Sequence, residues 1–160
     1  ARAVADHPRN VPDDVLRLTA ANGGVVMVTF YPAFVHPESA RRRADMFEVV
    51  RRLKAEFPDE TAYKAARKRW EDAHPIDRGS VHDVVDHIDH VVRIAGIDHV
   101  GVGSDFDGVS LMPRDLENVA AYPAITQVLL DRGYDAAQID KIMNGNVMRV
   151  LRAAQSSRRP

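Results

Sequence analysis

Gly101-Val102-Gly103-Ser104-Asp105-Phe106-Asp107-Gly108 is the stretch on which the fold turns. Ile97-Asp98-His99-Val100 extends it backwards into a short apolar run entered from Gly96, the pattern of a strand buried on both faces. The run ends in two acids and a glycine, so carboxylates stand at the strand's carboxyl-terminal edge. In parallel α/β folds, active sites form at that edge. An acid there can bind a metal, act as a general base or cap the next turn, and Asp-Gly is itself a common turn former.

Working outward, Ser80 caps a helix over Val81 to Ala95, with Val84, Val85, Ile88, Val92 and Ile94 on its apolar face and Gly96 closing it. From Glu38 to about Ala73 the chain is strongly charged. Met46, Val49, Val50 and Leu53 recur there at helical spacing, which predicts two amphipathic helices split at Pro58-Asp59, a solvated surface excursion. Val25 to Tyr31, between Gly24 and Pro32, predicts another doubly buried strand. Before it, Val11-Pro12-Asp13-Asp14 starts a helix that Asn22-Gly23-Gly24 stops. Ala1 to Asn10 reads as a loop. Beyond the quoted stretch, helices are predicted over Tyr122–Arg132, Asp135–Met143 and Asn146 to about Ala154, with Gln155 to Pro160 fraying.

Strands alternating with helices imply right-handed βαβ units and a parallel sheet, hence an α/β fold. Two strands make no stable parallel sheet alone, and a full eight-stranded barrel takes roughly 250 residues. The pattern therefore points to the tail of a larger α/β domain. The chain opens on Ala1-Arg2-Ala3-Val4 rather than on Met, and its true N-terminus is expected upstream.

Net charge −1 and a pI near 6.7 give no electrostatic case for nucleic acid or an anionic membrane. The chain has no cysteine, which excludes disulfides and thiolate metal sites and suits a reducing, cytoplasmic compartment. The apolar run Gly23 to Val35 is too short to span a bilayer and contains Pro32, so no membrane segment is predicted. An arginine held in the Asp6-His7-Pro8-Arg9-Asn10 loop can clamp a carboxylate through two parallel hydrogen bonds. His87 and His90 stand at i, i+3 and could share a face, but no His-Glu-x-x-His pattern accompanies them. His36 and His74, each before a proline, read as loop residues.

Taken in order, these blocks resemble the renal (membrane) dipeptidase family. His7-Pro8-Arg9-Asn10-Val11-Pro12-Asp13-Asp14 is similar to the stretch after that family's sixth barrel strand, and Val26 to Tyr31 to its seventh strand. Asp86-His87-Ile88-Asp89-His90 resembles the helix before strand eight, and Gly103-Ser104-Asp105-Phe106-Asp107-Gly108 the strand-eight signature. Leu116-Glu117, Tyr122-Pro123 and Asn144-Gly145-Asn146 with Arg149-Val150-Leu151 resemble the closing helices. The resemblance covers nearly the whole chain apart from the charged segment.

It implies that residues 1–160 are the C-terminal part of one (β/α)8 TIM barrel domain, around strands 7 and 8, with 38–75 a charged helical excursion. It further implies a two-zinc dipeptidase in which Asp105 is the catalytic aspartate and Arg9 binds the dipeptide's free carboxylate. Phe34, in the loop after strand seven, would lie near the substrate. No metal ligand is assigned in this chain: the family's zinc ligands fall on strands upstream of Ala1. On the outward-lying helix, Asp86 and Asp89 suit a surface ion-pair face. The expected partners are a dipeptide, the missing N-terminal half and, through unpaired strand edges, a homodimer. The alternatives are a non-catalytic fragment serving as an interaction piece, and a different barrel hydrolase that uses the Asp105 edge.

Overall fold

The computed structural model of the chain describes residues 1–44 and 46–157. In order the elements are α1 (Asp13–Ala21), β1 (Val26–Thr29), α2 (Pro32–Val35), α3 (Pro37–Arg43), α4 (Met46–Glu56), α5 (Glu60–Ala73), α6 (Val81–Ala95), β2 (Val100–Ser104), α7 (Tyr122–Asp131), α8 (Ala136–Asp140) and α9 (Asn146–Ser156). β1 and β2 pair in parallel, with Val26 opposite Val100, Met27 opposite Gly101 and Val28 opposite Val102. The crossover between them runs through α6, which packs on both strands. Mostly helical with one small parallel sheet, this is the expected α/β order.

Valines decide which sheet face is covered. Val28 and Val100 point into the main core with Leu16, Phe30, Val84, Ile88, Val91 and Leu129. Each such side chain contributes about 1.5–3 kcal/mol by leaving water. Met27 lies on the opposite face, across glycines of the neighbouring strand. A Cβ on Gly101 would stand 2.6 Å from its Sδ, and one on Gly103 3.1 Å from its Cβ. That contact requires the alternating glycines of the quoted stretch.

Helix ends follow local chemistry. Ser80 and Asp83 form a reciprocal capping box at α6. Asp13 and Asp14 occupy the first turn of α1, where the helix dipole favours them. The break at Pro58-Asp59 falls as the sequence predicts, with Asp59 accepting from the Ala62 amide at 2.8 Å. Four details differ from expectation. The charged segment holds three helices rather than two, because Pro37 at the first turn and His36 as N-cap start α3 independently; His36 is a cap rather than a loop residue. Ile97–His99 is a 3-10 turn, so the second strand begins at Val100. Pro32 starts α2 and ends β1 early, although the Phe30 amide still reaches the Ser104 carbonyl at 2.8 Å. α9 stays helical through Ser156, past the point where fraying is predicted; 158–160 lie outside the described residues.

A π-helical turn, Lys141–Gly145, joins α8 to α9 and delivers Asn146 into the core. Its buried amide donates to the carbonyls of Ile97 (2.7 Å) and Val100 (2.8 Å). Arg149 donates to the Gly23 and Asp98 carbonyls at 2.7 and 2.6 Å. The closing-helix residues that carry the resemblance thus pin α9 to the entrances of both strands, opposite the Asp105 edge.

Candidate functional site

The carboxyl ends of β1 and β2 open on a cavity of about 860 Å³. Arg9, Phe34 and Asp105 all line it, together with His7, Tyr31 and Arg78. Three residues far apart in sequence are therefore brought to one space by the parallel pairing.

Asp105 is placed by backbone geometry that ordinary strands do not use. An extra residue in β2 shifts the register between Val28 and Thr29, so that Thr29 faces Ser104. Ser104 and Asp105 then take φ of 47° and 82° in succession. Left-handed backbone at two consecutive non-glycine residues is uncommon, and such strain gathers at functional sites. The turn closes with the Gly108 amide on the Asp105 carbonyl at 3.1 Å. The carboxylate folds over Gly108 so closely that a Cβ there would meet Oδ1 at 2.1 Å. Asp105 is therefore a turn former, one of the roles its sequence position left open, and it is also a half-buried acid in the cavity lining. Asp107 is exposed and does not line the cavity.

Arg9 reaches the cavity from a loop tied down at several points. Asn10 donates to the carbonyls of Ala5 and Phe34, both at 2.8 Å, joining the loop to α2. The Arg9 guanidinium lies over the Phe34 ring, 4.8 Å from its centroid, a contact worth about 0.5–1 kcal/mol. Phe34 is itself clasped by His7 at 4.8 Å and Tyr31 at 5.0 Å. It belongs to the helical turn α2, not to a loop, and is buried. His7 is buried too. Its Nδ1 accepts the Arg9 amide at 3.1 Å, and burial, then the charges of Arg9 and Arg2, hold its pKa below the ordinary 6.5. Among the described residues the Arg9 side chain has neither hydrogen-bond nor ion-pair partner, so its donors face the cavity unspent.

The excursion corrects its sequence reading. α3, α4 and α5 form one wall of the cavity, contributing Arg43, Phe47 and Glu71 among others. Outer positions carry exposed i, i+4 pairs such as Lys64–Glu60 (3.4 Å), as a solvated face should. Arg43, in contrast, is only 8% exposed. Single-sequence reading missed it because it stands in a run of arginines whose pattern cannot say which one turns inward. Arg78 was missed as well. It donates to the carbonyls of Met112 (2.7 Å) and Pro113 (3.2 Å) and to Glu117 (2.7 Å), stitching down the loop that follows Asp105.

His87 and His90 share a face, and that face is turned inward. His87 Nε2 donates to the Val35 carbonyl at 3.1 Å, and His90 Nε2 to Asp13 at 2.6 Å. Each ties α6 to a different neighbour. Asp86, on the outer face, meets Arg132 at 2.7 Å. Among the described residues no group of three His, Cys, Asp or Glu side chains converges as a metal site. No helix among them is long and apolar enough to cross a membrane.

A parallel α/β chain with a strained acid at a strand's carboxyl edge and an unspent arginine beside it has the layout of proteins that bind ligands at strand ends. Comparison with known proteins narrows this class. The family model of the membrane dipeptidases (peptidase family M19) matches residues 1–160. The dipeptidase aclJ of Aspergillus oryzae is 36% identical over 151 residues, 94% of this chain and 27% of that protein. The uncharacterized dipeptidase C3A11.10c of Schizosaccharomyces pombe is 34% identical over 156 residues, 97% of this chain and 29% of its own length. Among solved structures, the probable dipeptidase PvdM of Pseudomonas aeruginosa superposes with a TM-score of 0.71 at 28% identity, covering 92% of this chain and 41% of that one. The chain belongs to the membrane dipeptidase family, peptidase family M19. It spans less than a third of the length of the curated relatives it matches.

Proposed function

We propose that this chain is the C-terminal part of a (β/α)8 barrel, with β1 and β2 as strands seven and eight, in a metal-dependent dipeptidase that hydrolyses the peptide bond of dipeptides. In this reading 1–160 is one piece of a single domain, onto which the excursion at 38–75 folds. The observation that carries it is that Arg9, Phe34 and Asp105 line one cavity at the carboxyl ends of both strands.

The described residues do not themselves make a metal site. The zinc ions that the family resemblance implies would be held by side chains outside this chain and would supply the activated water. What this chain contributes is separate. Asp105 accepts a proton from the attacking water and passes it toward the leaving amine. Arg9 grips the free carboxylate of the dipeptide with two parallel hydrogen bonds. Phe34, held between His7 and Tyr31, keeps the guanidinium aimed. A carboxylate clamp explains a preference for dipeptides over longer chains, whose C-terminus would sit too far from the scissile bond.

The other parts of the reading follow from the exposed edges and composition. β1 and β2 each have one paired edge among the described residues, so the remaining half of the barrel is the natural partner, and a homodimer is the substitute in its absence. A cytoplasmic location rests on the lack of cysteine.

The test is dipeptide hydrolysis by the complete protein and two variants. Asp105→Asn should lower kcat by about 10²–10⁴-fold with substrate binding little changed. Arg9→Ala should weaken binding of dipeptides by about 10–100-fold, the worth of a hydrogen bond to a charged group. It should spare substrates whose carboxylate is amidated. An unchanged KM in Arg9→Ala removes the clamp from the reading. The 160-residue chain alone, with zinc, should be inactive and regain activity with its other half. Failure to do so favours a non-catalytic interaction piece.

A further inference from the structure

Arg43 is a buried cation short of oxygen among the described residues. It ends α3 in the cavity wall and is 8% exposed. A guanidinium carries five N–H donors, and holding one away from water without partners costs several kcal/mol. Among the described residues, what Arg43 meets is meagre: the Met46 sulfur at 3.9 Å, a Glu71 oxygen at 3.8 Å and the Trp70 ring with its centroid 5.5 Å away. Its Nε is buried with no hydrogen-bond partner.

Among the described residues, the neighbouring acids Glu71 and Asp72 already have partners. Glu71 accepts a short bond from the Arg67 Nε at 3.0 Å, and Asp72 is held by Lys68 at 2.8 Å. Arg78 in the same wall is satisfied by Glu117 and two carbonyls. The cavity is thus lined by two guanidinium groups, Arg9 and Arg43, with no hydrogen-bonded oxygen among the described residues. Met46, Phe47 and Val50 beside Arg43 offer only apolar surface, and Arg67, a second arginine of this wall, already donates from its Nε to Glu71 at 3.0 Å.

We infer that the cavity takes a substrate with two carboxylates: Arg9 holds the terminal one, and Arg43 receives an aspartate or glutamate side chain of the same dipeptide. This rests on the reading of the cavity as a dipeptide site. It assigns a specificity role to the excursion, the charged segment that sequence alone reads as a solvated surface. Swinging from Trp70 and Glu71 onto a carboxylate would give the guanidinium the paired oxygens it lacks.

The experiment compares isosteres in the complete enzyme. Ala-Glu is measured against Ala-Gln, and Glu-Ala against Gln-Ala, each in the stereochemistry that the enzyme accepts. kcat/KM should favour the acidic member of at least one pair by on the order of 10–100-fold. Arg43→Met should collapse that ratio toward one, and Arg43→Lys should retain part of it. A ratio near one in both pairs of the unmodified enzyme overturns the inference without any variant having to fold, and so does a ratio that survives Arg43→Met. If no dipeptide is cleaved at all, the dipeptidase reading fails separately. Calorimetric titration with N-acetylglutamate against N-acetylglutamine then decides Arg43. Tighter binding of the acid, lost in Arg43→Met, supports the second carboxylate site, and equal binding overturns it.

Discussion

Around the sheet, Leu16, Phe30, Val84, Ile88, Val100 and Leu129 are wholly shut from solvent, and α6 touches α1, α7 and both strands. In the excursion the buried apolar cluster is Val49, Leu53, Tyr63 and Ala66, with α4 lying on α5. Charges there pair at the surface, as in Arg42–Glu38 at 2.6 Å and Lys64–Glu60 at 3.4 Å, contacts worth little in water. The two regions meet along α3, which packs on α2 and bonds the Asp77 carbonyl through Ser39 at 2.7 Å, and across the cavity that both line. The strained acid Asp105 stands on the well-packed side, where rigidity preserves its aim. Arg43 stands on the lightly packed side, where a small rearrangement can meet an incoming group. A lightly held wall against a firmly held one is how local opening stays local.

That contrast breaks first in the core. Ile88→Ala in the complete protein should cost about 2–5 kcal/mol and lower the melting temperature of the whole domain, because α6 bridges every layer of the body. Leu53→Ala should cost less, about 1–3 kcal/mol. Its effect should appear as faster amide exchange in α4 and α5 with α6 still protected. If Leu53→Ala loosened α6 as much as α4, the excursion and the body would be one cooperative unit and the contrast would fall.

The third expected effect lies at the site itself. Gly108→Ala puts a methyl where the Asp105 Oδ1 now lies, 2.1 Å from the new carbon. The atom that must move is the end of a flexible side chain, so stability should change by under about 1 kcal/mol. The carboxylate would be turned away from the position its strained backbone sets. Turnover should fall by about tenfold or more, since displacement of a catalytic group by an ångström is enough. Unchanged turnover with a displaced carboxylate would strip Asp105 of its proposed role.

The strands, α6 with its cap and the break at Pro58-Asp59 were legible in sequence because each is written in neighbouring residues: apolar runs, a Ser-x-x-Asp box, a proline. Asp105 was legible as a strand-end acid. Arg9 gained its meaning only from the resemblance, since one loop arginine carries no geometry. Two things were not legible. The left-handed φ of Ser104 and Asp105 comes from a bulge that depends on a partner strand distant in sequence, with Thr29 facing Ser104. The inward turn of Arg43 depends on how α3 seats against Trp70 and Glu71, and periodicity within a run of three arginines is silent about that. The inward face of His87 and His90 was hidden for a similar reason: a helix lying outside a sheet still buries one side, and its partners, Val35 and Asp13, lie 52 and 77 residues away.

The smallest expected effect concerns His7, which joins the firm side to the Arg9 loop. Its Nδ1 accepts the Arg9 amide, so the neutral ring carries its proton on Nε2. Burial, followed by the positive charges of Arg9 and Arg2, depresses its pKa below 6.5, with Asp6 opposing. A histidine whose folded pKa lies below its unfolded one stabilises fully above pH 6.5 and loses that contribution as pH falls from there through the folded value. Protonation would place an N–H against the Arg9 amide and a third cation beside two arginines. The Arg9 amide should therefore exchange faster below pH 6.5, after correction for intrinsic rates, while amides of α6 and β2 hold. His7→Gln keeps an acceptor for that amide but does not titrate, and it should flatten the dependence. If Arg9 loosened equally in His7→Gln, the loop would be responding to a group other than the His7 ring. The clamp would then be tuned from outside the aromatic cluster rather than by the ring that carries Phe34.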